Sequence, residues 1–153
     1  MHIFLSLPIT SNLDENGVFR EPERLFFQDI LDILAENNVK VLSAVINEDW
    51  GRRKLSVLAF TEYDVASIAL ADALVVVTRD RLTRDIMLEV GIAIGQRKSV
   101  IVVLPQEAWT THMLDGLADL GTIHFLRYLR DQSDGRKVGR SLVQELFQGA
   151  TDV

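Results

Sequence analysis

Residues 75–77 (Val-Val-Val) and 100–104 (Val-Ile-Val-Val-Leu) are β-branched runs with no polar residue on either face. A strand that cannot turn one face to water must be covered on both sides, which points to the centre of a parallel sheet with helices packed above and below. The rest of the chain is consistent with that demand. Strand-like runs at residues 3–7, 39–45, 73–78, 100–104 and 122–128 alternate with helix-like segments at 21–37, 54–71, 83–96, 110–120 and 137–148. The expected fold is α/β: a doubly wound, flavodoxin-like or Rossmann-like sheet of about five parallel strands with helices on both faces. One domain over residues 1–153 is expected. A polar loop at 10–19, with Asn12, Asp14, Asn16 and Gly17, follows the first strand, and residues 131–136 read as a turn.

Several functions are set aside by composition. The chain has no cysteine, so disulfides, thiolate metal sites and cysteine nucleophiles are out, and a cytoplasmic location is the default. His2, His112 and His124 have no ligand spacing, which gives no support to a metal site or a Ser-His-Asp triad. A net charge of -6 opposes binding to a nucleic-acid polymer, while a small phosphorylated ligand needs only local donors. No apolar run approaches the ~20 residues that span a bilayer, so no membrane partner is expected. The apolar start, residues 1–8, lacks a basic leader and alternates like a strand.

One carboxylate stands out. Glu89 lies within the apolar helical run Ile86, Met87, Leu88, Val90, Gly91, Ile92, on the stripe of Ile86 and Ala93. A charge there either points inward, at a cost that marks a functional site, or splays its head into water from the edge of the stripe. In an open parallel sheet, ligands bind beyond the carboxyl ends of the strands. Asp64, eight residues before Asp72, stands about 12 Å up a sheet roughly 20 Å tall, and Glu89, six residues past Thr83, lies about 9 Å down its helix from the opposite rim. The two acids therefore reach similar heights and can share a cleft.

The pattern Asp64, Ala71-Asp72, apolar strand, Thr83, Glu89-Val90-Gly91 and Lys98 resembles the nucleoside 2-deoxyribosyltransferase superfamily. Within it the chain is most similar to the nucleotide N-hydrolases, in particular the CMP and hydroxymethyl-CMP hydrolases. Pro8 before a loop with Asp14 and Gly17, the group Glu48, Trp50 and Gly51, and the spacing from Trp50 through Asp64 and Thr83 to Glu89 favour that branch. The resemblance implies hydrolysis of the base–sugar bond of a pyrimidine, CMP-like nucleoside 5′-monophosphate, with Glu89 as nucleophile and Asp64 assisting departure of the base. It also implies that Thr83 meets the phosphate and that Trp50, Ile9 and Phe19 border the base, with Ser6 and Pro8 at the strand-one end and Arg84 as a phosphate contact. No metal or organic cofactor is implied. The partner is a small-molecule nucleotide, and the assembly a homodimer or higher homo-oligomer that completes the pocket across subunits. Base exchange between deoxynucleosides and a catalytically silent nucleotide-binding module are the alternatives.

The chain departs from that pattern between Thr83 and Glu89, where Arg84, Asp85, Ile86 and Met87 replace small residues. Arg84 would attract a phosphate, whereas Asp85 would repel one if it faced inward. Ordinary readings stand beside each assignment. Asp64 can be a solvated flank residue, Asp72 the boundary of a strand, Thr83 an N-cap, and Trp50 a core or interface anchor. Glu48-Asp49 can be a solvated acidic pair rather than a cation site, and Arg79, Asp80 and Arg81 a charged loop tip.

Overall fold

The computed structural model describes residues 1–130 and 134–148. Five strands, β1 (His2–Ser6), β2 (Lys40–Leu42), β3 (Ala73–Val77), β4 (Ser99–Pro105) and β5 (Ile123–Tyr128), form one all-parallel sheet in the order β2-β1-β3-β4-β5. Helices α1 (Glu21–Glu36), α2 (Ala44–Asn47), α3 (Val57–Leu70), α4 (Arg84–Gly95), α5 (His112–Asp119) and α6 (Gly135–Gln148) surround it.

The two uninterrupted apolar runs supply both cores. Val75, Val77, Ile101 and Val103 pack with Phe27, Ile30 and Leu34 of α1 and Val138 and Leu142 of α6. Their neighbours Leu74, Val76, Val100, Val102 and Leu104 pack with Ile68 of α3, Ile86 and Val90 of α4 and Leu114 of α5. Alternate residues of one strand thus feed opposite layers, which is why neither run has a polar phase. On the first layer α6 comes so near α1 that a Cβ on Gly139 would lie 2.9 Å from the Ile33 Cβ.

Three of the boundaries that differ from the sequence reading show a local cause or bear on the expected turn. The second strand, expected over 39–45, ends at Leu42; Ser43 is extended, and Ala44–Asn47 turns into a short helix that buries Ala44 and Val45. β2 is an edge strand paired only with β1, so nothing on its far side holds the chain extended once β1 ends. The third helix starts at Val57 rather than Lys54, because the Ser56 hydroxyl caps it by accepting from Ala59 N at 3.2 Å. The last helix starts at Gly135, so Gly135 and Arg136 are helical rather than part of a turn; residues 131–133 of that expected turn lie outside the described residues.

β1 pairs with β2 on one side and β3 on the other, and the chain crosses from β2 past β1 to β3, so strand order reverses between β1 and β3. That switch point opens a crevice at the carboxyl ends of the strands, where the chain leaves β1 at Ser6.

Candidate active site

Ser6, the last residue of β1, is 3% exposed, and Asp64, on the inner face of α3, is 6% exposed. Glu89 comes down from α4 and is half-buried. Together with Ser43, at the end of β2, these side chains surround one small cavity at the switch point. Among the described residues, the buried side-chain polar atoms without a hydrogen-bond partner are Ser6 Oγ, Ser43 Oγ, Asp64 Oδ1 and Glu89 Oε2. All four belong to this cavity. A buried polar atom left unpaired costs about 1–3 kcal/mol, and native folds tolerate few of them. Their concentration at one point makes this cavity the candidate site.

The small cavity joins two larger ones. A cleft of about 410 Å³ between α3 and α4 is lined by Leu55, Val57, Phe60, Thr61, Asp64, Val65, Asp85, Leu88, Glu89 and Ile92, a volume in the range of small-molecule sites, roughly 300–1,000 Å³. The second, about 190 Å³, lies under the loops after β1 and β2 and includes Ile9, Leu13, Phe19, Val45, Glu48, Lys54 and Leu55. Ile9 and Val45 are shared with the small cavity, and Leu55 with the large cleft. The two loops over the second cavity are tied together. Phe19 N donates to Trp50 O at 3.0 Å, and a Cβ on Gly51, at φ +90°, would stand 2.5 Å from Gly17 O, so no side chain fits there.

Both carboxyls are held well above their ordinary range, at about 7 each. For Asp64 burial is the main cause, followed by the charges of Glu89 and Glu48. For Glu89 burial again leads; the nearby Ser6 hydroxyl, although outside hydrogen-bond geometry, favours the ionised form, and Asp85 opposes it. Burial thus raises both carboxyls, the charges of Glu89 and Glu48 add to it at Asp64, and the Ser6 hydroxyl favours charge on Glu89.

Of the residues singled out in the sequence, the fold brings Ser6, Asp64 and Glu89 to one cavity and sets Ile9 and Phe19 in the adjoining one. Others lie apart. Trp50 is buried in the first core layer, its ring edge-on to Phe19 at 5.4 Å, and lines none of these three cavities. Pro8 is buried and offers its carbonyl to Asn12 Nδ2 at 2.6 Å, shaping the loop after β1. Thr83 is the N-cap of α4, its hydroxyl accepting from Ile86 N at 3.4 Å, and Arg84 is exposed outside the cavity linings. Asp72 accepts from His2 N at 2.7 Å, and Lys98 donates to the carbonyls of Ala69 and Ala71, both closing the far end of the sheet. Arg79 is bound to Glu23 at 3.2 Å and lies over the Phe26 ring.

Lys54, Leu55 and Phe60 line the site without any signal in the sequence, because the chain enters α3 three residues later than periodicity suggests and leaves Lys54 and Leu55 in a loop. Glu48 is more than a solvated acid, since its Oε1 accepts from Leu55 N at 2.8 Å. Among the described residues, no group of three or more acidic or histidine side chains is arranged to hold a metal ion. None of their helices is long and apolar enough to cross a membrane.

No family model and no curated protein sequence matches this chain. Solved structures do. BcmB, a CMP N-glycosidase of Clostridium botulinum, superposes with a TM-score of 0.65 at 17% identity, over 94% of this chain and 99% of its own. BlsM gives 0.67 at 18% identity over 95% and 93%. A 2-deoxyribosyltransferase from Bacillus psychrosaccharolyticus gives 0.60 at 16% identity over 90% and 96%. The chain shares their fold. That fold is the one implied by the resemblance drawn from Asp64, Asp72, Thr83 and Glu89.

Proposed function

We propose that this chain is an N-glycosidase that hydrolyses the base–sugar bond of a pyrimidine nucleoside or its monophosphate through Glu89. The observation that carries this reading is the meeting of four unpartnered polar atoms, two of them carboxyl oxygens, at the point where the cleft of about 410 Å³ meets the cavity of about 190 Å³. Similar folds named for CMP N-glycosidase and 2-deoxyribosyltransferase activity support it.

The Glu89 carboxylate attacks the anomeric carbon as the glycosidic C–N bond breaks, and the departing base takes the proton held by Asp64. A water molecule then gives a proton to Asp64 and attacks the same carbon, releasing the sugar and restoring the Glu89 carboxylate. Capture by a second base instead of water would make the protein a transferase. In the smaller cavity Glu48 offers an acceptor and Lys54 a donor within walls of Ile9, Leu13, Phe19 and Val45. That pair suits a base edge with an amino group beside an acceptor, as cytosine has.

The test is chromatographic detection of free base from a panel of nucleosides and nucleotides. Release within a pH bell centred near neutrality is expected, because Glu89 must be ionised and Asp64 protonated and both titrate at about 7. Activity falls toward acid as Glu89 takes up a proton and toward alkali as Asp64 loses one.

The open side of the large cleft supports a homodimer. Val57 is 86% exposed and Leu88 68%, both on the cleft wall, and Leu58 beside them is 67% exposed. A contiguous apolar rim of this kind is what a second subunit covers. Sedimentation of the wild type is expected to show a dimer, and Leu58→Asp a monomer with weakened turnover.

A further inference from the structure

Resting on the N-glycosidase reading, a second property of the cleft bears on which substrates it admits. Its charged lining consists of Asp64, Asp85 and Glu89, with no basic side chain. Asp64 is 6% exposed and its Oδ1 is unpartnered, as is Glu89 Oε2, so these two acids frame a ligand site, with Asp85 exposed at its rim. Asp85 lies one helical turn before Glu89 on α4, about 6 Å along the axis. Its charge is felt at Glu89.

The base and the 5′ substituent leave a furanose from the two carbons that flank the ring oxygen. With the anomeric carbon at Glu89 and the base under the loops after β1 and β2, the 5′ substituent projects into the large cleft beside Asp85. A hydroxyl there can donate to a carboxylate. A phosphomonoester, close to two negative charges at neutral pH, meets the carboxylates of Asp85 and Glu89 and no cation. Neither group that would offset this lines the cleft, since Thr83 and Arg84 both lie outside it.

We propose that Asp85 excludes a 5′-phosphate from the cleft and makes this a site for uncharged nucleosides. Asp85 is then a specificity-determining residue, acting on the group the substrate carries away from the reacting bond.

The test compares purified full-length protein on cytidine, deoxycytidine, uridine and thymidine and on the 5′-monophosphate of each. The free nucleoside is expected to have a kcat/KM at least about tenfold above its monophosphate, with Asp85→Asn narrowing that ratio by about tenfold through KM for the monophosphate. Asp85→Ser, which keeps a residue suited to the first turn of a helix, is expected to do the same, with far-UV circular dichroism confirming the fold of both variants. A wild type that prefers monophosphates, or a ratio unmoved by either variant, overturns the proposal while base release keeps the N-glycosidase reading intact. Release from neither substrate class overturns both.

Discussion

Glu89→Ala is expected to abolish base release, lowering kcat by about 10³-fold or more, in a protein that remains folded. The size follows from the proposed role. A carboxylate that forms the bond to the anomeric carbon cannot be replaced by a methyl group, and what survives is transition-state binding by the rest of the cleft. Glu89→Gln is the sharper variant, because it keeps the shape and removes the charge. Asp64→Asn is expected to lose less, about 10²-fold, and least on substrates whose base departs without a proton. The double substitution should be no worse than Glu89→Ala alone, since the two groups act in one sequence of bond changes. Turnover of Glu89→Gln within tenfold of the wild type would remove this residue from the reaction.

The second large effect is on stability. Asp64 and Glu89 have ordinary values of 3.8 and 4.5 and are raised in the fold to about 7. In the unfolded chain they ionise near pH 4, while the native protein holds their protons until about pH 7. Between those limits the native state binds more protons, so stability falls as pH rises. The contribution is fully present below pH 4, declines from there to about 7 and is absent above. Between pH 5 and pH 8 the decline is on the order of 3 kcal/mol for one such group, read as a lower urea midpoint at the higher pH. Replacing Asp64 with Asn removes a buried charge at pH 8 and is expected to stabilise the protein there by roughly 1–2 kcal/mol. The gain is held down because the amide is no better hydrogen-bonded than the acid. A wild type equally stable at pH 5 and pH 8 would show that these carboxyls are not perturbed. An inactive but more stable Asp64→Asn protein would tie the unpaired acid to function rather than to folding.

The sheet was legible because its signal is local: Val75, Val76 and Val77 cannot be anything but doubly covered, and the helix after β3 carries its own cap at Thr83. The end of β2 was not, since the turn at Ser43 depends on β2 being an edge strand of this sheet. For the site, Glu89 advertised itself as a lone acid in an apolar helix, and helical rise was enough to level it with Asp64. The direction of Asp85 against Arg84 was invisible, because adjacent residues at a helix start differ by a rotation that only the packed helix fixes. Trp50 illustrates the opposite difficulty. Its aromatic ring suits a base equally well, yet its backbone, at φ +58°, turns it into the first core layer.

On the N-glycosidase reading, the contact between Gly17 and Gly51 limits how base preference can be altered. Because each loop over the smaller compartment is seated on the other's main chain, a longer or bulkier segment introduced into one would lift its partner and open the compartment to water. New selectivity is therefore reached by exchanging Ile9, Phe19, Glu48 or Lys54 in place, whereas swapping a single loop from a similar protein would import a mismatch at that glycine seam.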